Sequence, residues 1–133
     1  YGEALVFFNT DLAEDFQYVR KQGMQLASKM RFISAQFTAL LEGGLWRRNA
    51  AHANAMAAML ARLASEIPGV NITRPVEANA VFAVLPPKAI PLLQSEFSFY
   101  VWNEEAHEVR WMTAFDTSPE DVKNFVEKIR LMF

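Results

Sequence analysis

Apolar side chains recur at three- and four-residue steps through residues 12–41, at Phe16, Val19, Leu26, Met30, Ile33, Phe37 and Leu40, the period of one helix face. The pattern predicts one long helix or two consecutive ones. Gly23 marks the place for a break, because glycine costs about 1 kcal/mol relative to alanine inside a helix. Gly43-Gly44 is a stop signal, and the alanine-rich residues 45–67 restart a helix that Pro68-Gly69 ends. Together these segments read as an αα-hairpin.

The period then changes to two. Residues 70–73 alternate as a short strand, 79–85 form a more apolar one bounded by Pro86-Pro87, and 87–94 suit a short helix. A third strand is predicted over 97–102 and a fourth over 109–115, paired antiparallel across a polar turn at 103–107. Ser118-Pro119-Glu120 has the chemistry of a helix start, with Ser118 as N-cap, Pro119 at the first helical position and acids in the first turn. The helix over 120–132 presents Val122, Phe125, Val126, Ile129 and Met132 as its buried stripe.

The order predicts an α+β fold: a helical hairpin and a C-terminal helix packed on a small, mostly antiparallel sheet. One segment stands outside it. Ala4-Leu5-Val6-Phe7-Phe8 is a continuous apolar run of strand character, and such runs belong inside a sheet covered on both faces. No later segment supplies parallel neighbours for it. Residues 1–10 are therefore expected to end a larger, truncated domain, with 11–133 forming a small C-terminal one.

Composition narrows the class. About half of the 133 residues are apolar, enough for a real core and incompatible with a disordered or collagen-like chain. A net charge of −2 without a Lys/Arg run argues against a dedicated nucleic-acid binder. The lack of cysteine removes disulfides, thiolate metal sites and cysteine nucleophiles, and fits a reducing compartment. Apolar stretches fall short of the roughly 20 residues of a bilayer helix. The expectations are thus no nucleic acid, no membrane and a cytoplasmic location.

Few residues offer chemistry. No glycine-rich phosphate loop, paired-His motif or nucleophile elbow occurs. Arg110 lies between Val109 and Trp111 just ahead of the capped helix. A guanidinium there is costly to bury unless it meets an anion such as a carboxylate; the plainer alternative is an arginine on a strand's solvent face. Lys21, Ser28 and Arg31 are spaced so that Ser28 and Arg31 share a helix face, able to meet a phosphate or to form an ordinary basic surface. Glu104, Glu105 and Glu108 read as a solubilising acidic turn. His107 reads as a turn residue and His52 as helix packing or a subunit contact, while Trp46, Asn49, His52 and Met56 form a ladder suited to core or interface packing.

Several motifs also carry a resemblance. Lys21-Gln22, Gln25-Leu26-Ala27-Ser28-Lys29-Met30-Arg31-Phe32, Trp46-Arg47-Arg48-Asn49-Ala50, His52-Ala53-Asn54, Pro75-Val76-Glu77-Ala78-Asn79 and Val109-Arg110-Trp111, in this order, resemble the C-terminal part of low-specificity L-threonine aldolases. The phenylserine aldolase and β-eliminating lyase branch is the nearer match. The resemblance covers essentially the whole chain. It implies the small domain of a fold-type-I pyridoxal 5'-phosphate enzyme, with residues 1–10 ending the large cofactor-binding domain. The lysine that holds the cofactor lies ahead of the apolar strand in such enzymes; none of Lys21, Lys29, Lys88, Lys123 or Lys128 matches it.

By position, the resemblance makes Arg110 the arginine for the substrate α-carboxylate and Arg31 one that reaches the cofactor phosphate of a neighbouring subunit. Lys21 is a further candidate for that phosphate, at a spacing that departs from the family's. The implied activity is cleavage of small β-hydroxy-α-amino acids such as threonine or phenylserine to glycine and an aldehyde, in a homodimer or homotetramer. A fragment without the Schiff-base lysine is expected to be inactive. Two other readings are a noncatalytic helical interaction or dimerisation module, suggested by the hairpin with Trp46, Met56 and Met59, and a free-standing amino-acid sensor using Arg110.

Overall fold

The computed structural model describes residues 2–23 and 27–133. The helical stripe residue Leu26 lies outside the described residues. The chain divides into two compact units, Tyr1–Leu45 and Trp46–Phe133.

In the first unit a 3-10 turn, Thr10–Ala13, precedes helices α1 (Phe16–Gly23) and α2 (Arg31–Leu41). Asn9 starts the turn, its side-chain oxygen accepting from the Asp11 amide at 3.0 Å. The predicted interruption is real, since α1 ends at Gly23. Lys29, with φ 58°, places a left-handed residue just ahead of α2. Ser28 therefore sits in a turn, and the expected helix face shared by Ser28 and Arg31 does not form. Residues 4–8 carry no strand assignment and join no ladder, because backbone donors and acceptors need a neighbouring strand that no described segment offers.

The second unit contains α3 (Leu45–Ser65, whose first residue closes the first unit), β1 (Asn71–Ile72), β2 (Ala80–Val84), α4 (Ala89–Gln94), β3 (Tyr100–Asn103), β4 (Glu108–Met112) and α5 (Pro119–Arg130). The strands form one antiparallel sheet in the order β1-β2-β4-β3. Alternation in β2 and β4 sends Val81, Ala83, Val109 and Trp111 into the core. There they meet Ala57, Leu60, Ala61 and Ala64 of α3, Ile90 and Leu93 of α4, and Val122, Val126 and Ile129 of α5. The buried face of α3 is built mostly of small alanines, and α5 supplies the larger side chains of Val122, Val126 and Ile129. Phe125 closes the edge, its ring edge-on to Trp111 at 5.2 Å and to Phe97 at 4.9 Å.

Strand β3 is shorter than its apolar run. The Phe97 amide donates to the Leu93 carbonyl at 2.9 Å, so the start of the run is spent closing α4. The Ser118 cap forms as expected: its hydroxyl accepts from the Asp121 amide and the Asp121 carboxylate accepts from the Ser118 amide, a reciprocal capping box. Gly69, at φ +92°, holds the turn after α3 where a Cβ would lie 2.5 Å from the Phe133 ring, so no larger residue fits without moving it. Ile129 is fully buried on the sheet. Ile129→Ala is expected to lower stability by about 2–5 kcal/mol, read as a shift in the urea unfolding midpoint of the protein at unchanged slope.

Candidate functional site

Strand β4 places the candidate site. Its partners across the sheet are fixed by register: Arg110 lies opposite Phe82 on β2 and Tyr100 on β3. Since Val109 and Trp111 face the core, Arg110 is on the other face, beside Phe82, Tyr100 and Met112. Trp102, two residues beyond Tyr100, joins this group by alternation, beside a register shift between Val101 and Asn103. The Arg110 guanidinium stands 4.9 Å from the centre of the Trp102 ring and 5.5 Å from that of Tyr100, within cation–π range.

The half-buried Arg110 has no carboxylate partner among the described residues. Its Nε is buried and makes no hydrogen bond. A desolvated donor of a permanently charged group is unfavourable, and an anion beside the half-buried guanidinium would offset the charge. A groove of about 460 Å³ opens there, lined by Gln94, Phe97, Ser98, Phe99, Tyr100, Arg110 and Met112. Cation, orphan donor and apolar walls together fit a small carboxylate carrying an apolar group.

Two tethers to α3 set the position of β4 and the loop beyond it. The Thr113 hydroxyl donates to the Ala53 carbonyl at 2.7 Å, and His52 Nε2 lies 2.7 Å from the Thr117 carbonyl. Because a carbonyl only accepts, His52 must carry its proton on Nε2. His52 is thus a packing residue, as its helix position implied. Trp46 of the same ladder is instead largely exposed.

Glu108 departs furthest from expectation. It is not part of a solubilising turn: it is buried, and its carboxylate accepts from the Thr73 hydroxyl at 2.5 Å and from Arg74 Nη2 at 2.8 Å. Arg74 in turn lies over the Phe82 ring at 4.1 Å. Thr73, Arg74, Phe82 and Trp102 were not singled out by sequence. The available signal was the alternation that leaves Phe82, Tyr100 and Trp102 on the non-core face; the Arg74 pairing had none, being 34 residues distant. Glu104 and Glu105 remain exposed.

Lys21 lies in the last turn of α1 and Arg31 in the first turn of α2, on separate helices. Both are exposed. The Arg31 guanidinium stands 5.0 Å from the ring of its neighbour Phe32. A cation at the positive end of a helix is chemically suited to a phosphate. Among the described residues, no three His, Cys, Asp or Glu side chains gather to hold a metal, and no helix is long and apolar enough to cross a membrane.

The fold has close counterparts. A threonine aldolase of Leishmania major matches with a TM-score of 0.76 at 26% identity, over 87% of this chain and 34% of that one. A glycine decarboxylase (P-protein) of the glycine cleavage system, solved in inhibitor-bound form, matches with a TM-score of 0.64 at 21% identity, over 88% of this chain and 30% of that one. Helices with a small antiparallel sheet in this arrangement define the class anticipated from sequence, a domain of the fold-type-I pyridoxal-phosphate enzymes.

Sequence comparison is more specific. The chain is 46% identical over 132 residues to a low specificity L-threonine aldolase of Pseudomonas aeruginosa and 46% identical over 130 residues to another from Pseudomonas sp.. These alignments cover 98% and 97% of the chain but 38% and 37% of the relatives. Over nearly its whole length the chain is therefore similar to low specificity L-threonine aldolases, of which it spans somewhat more than a third. No protein-family model matches it.

Burial and the two hydrogen bonds act on Glu108 in opposite directions. The Thr73 hydroxyl and, to a lesser degree, Arg74 outweigh desolvation and hold its pKa below the ordinary value near 4.5. A folded-state pKa below the unfolded one adds stability that is complete above about 4.5 and is lost as pH falls through the folded value. Glu108→Gln is expected to lower stability at neutral pH by about 1–2 kcal/mol and to flatten the acid limb below pH 4.5, measured by urea unfolding across pH.

Proposed function

We propose that this chain is the small-domain part of a pyridoxal-phosphate aldolase that cleaves β-hydroxy-α-amino acids to glycine and an aldehyde. The observation that carries the reading is the unpaired Arg110 on the groove of a chain 46% identical to low specificity L-threonine aldolases. In this reading residues 1–10 end the large cofactor-binding domain and 11–133 form the small one. The cofactor is pyridoxal 5'-phosphate, the assembly a homodimer or homotetramer, and the location cytoplasmic.

When bound, the pyridine ring of the cofactor withdraws electrons from the Cα side of the bond that breaks. The residues of this chain bind and orient. Arg110 takes the substrate α-carboxylate in a charge-assisted contact, which limits rotation about the Cα–carboxylate bond. Fixing that group fixes the direction of the scissile Cα–Cβ bond. The apolar groove walls exclude water from the ion pair and strengthen it. Arg31, with Lys21 as a second candidate, supplies positive charge to the cofactor phosphate, Arg31 from a neighbouring subunit. A noncatalytic helical module is not favoured, since the relatives are aldolases over nearly the whole chain.

The full-length protein is expected to show a cofactor absorbance band and to release glycine from L-threonine or phenylserine. Arg110→Ala should raise KM for the amino acid about 10- to 100-fold, the loss of roughly 1.5–3 kcal/mol of charge-assisted hydrogen bonding. Arg31→Ala should chiefly weaken cofactor retention, seen as loss of the band on dialysis. A full-length protein with neither band nor glycine release would overturn the reading.

A further inference from the structure

Arg110 belongs to a row of side chains on the non-core face of the sheet that has no evident place in a hydrophobic core. Arg74, held by Glu108, lies over Phe82 at 4.1 Å. Phe82 meets Trp102 edge-on, with ring centres 5.4 Å apart and planes at 77°. Trp102 then presents to the Arg110 guanidinium at 4.9 Å, and Tyr100, directly opposite on β3, stands 5.5 Å from it. Both outer rings are largely exposed, Trp102 at 50% and Tyr100 at 69%, so burial does not account for their size.

Arginine has a long, rotamer-rich stem, and no carboxylate among the described residues steers this one. Ring faces attract a guanidinium without consuming its N–H donors. An aromatic seat therefore can hold the planar group while leaving its donor fork open to a ligand. A carboxylate in the same place would hold Arg110 as well but would neutralise it and occupy the fork. Trp102 is itself braced through Phe82, and the brace runs on through Arg74 to the buried Glu108.

We infer that Trp102 and Tyr100 are positioning residues that preorganise Arg110 for carboxylate capture, with Phe82 and the Arg74–Glu108 pair bracing Trp102 from the opposite side. The inference rests on the reading of Arg110 as the carboxylate-binding residue. Lost preorganisation weakens binding in the ground state and the transition state alike. Removing the seat should therefore raise KM and leave kcat nearly unchanged.

The test uses the full-length holoenzyme with L-threonine as substrate and glycine as a binding probe. Trp102→Leu is expected to raise KM and the glycine Kd about three- to tenfold, the range of a partly desolvated cation–π contact, with kcat within about twofold of the parent. Trp102→Phe, which keeps a ring, should restore most of the loss. In an Arg110→Ala background, Trp102→Leu should have no further effect on KM, whereas a merely structural Trp102 would still add its penalty.

Should Trp102→Leu not fold, Tyr100→Leu carries the same comparison from an exposed position. Unchanged KM in Trp102→Leu and Tyr100→Leu, or equal effects with and without Arg110, would overturn the inference while Arg110→Ala still weakens binding. If Arg110→Ala itself left KM and glycine binding unaltered, the underlying reading of Arg110 would be what fails.

Discussion

Strand β4 lies between β2 and β3, and its pleat divides the chemistry of the second unit. Val109 and Trp111 point into a core built with α3 and α5, while Arg110 is carried to the opposite face. A slip of one residue would exchange the two sets, exposing Trp111 and burying the guanidinium. The apolar side of β4 thus determines where the cation stands. The tethers from Thr113 to the Ala53 carbonyl and from His52 to the Thr117 carbonyl set the end of the strand and its following loop against α3.

The non-core face has its own polar logic. Glu108 and Arg110 are two positions apart on the same strand and share a side, yet their fates differ. Glu108 is satisfied by Thr73 and Arg74, a closed arrangement in which the charges offset one another. Arg110 faces rings only and keeps an unpaired buried donor. Within one strand a neutralised charge and an available one stand side by side, separated by the aromatic groups of Phe82 and Trp102.

Much of the architecture was legible because it depends on local chemistry. The break at Gly23, the stop at Gly43-Gly44, the restart of α3 and the Ser118-Pro119 cap are read from residues within a turn or two of one another. The stripe Val122, Val126 and Ile129 is buried as its spacing implied. Errors came where a segment's fate depends on distant neighbours. Phe97 closes α4 although its run reads as β. Lys29 at φ 58° separates Ser28 from Arg31, which a spacing argument treats as one continuous helix.

The sequence by itself determined the order of elements, the core face of α5 and the candidacy of Arg110, since periodicity and capping act over a few residues. Its likeness to the threonine aldolases was also legible there. Only the tertiary structure decided that Glu108 is buried with Arg74, that Trp102 meets both Phe82 and Arg110, and that the Arg110 guanidinium rests on rings rather than on a carboxylate. The reason is that these outcomes are set by cross-strand register between segments about 10 to 35 residues apart, and register is fixed by packing of the whole sheet on its helices.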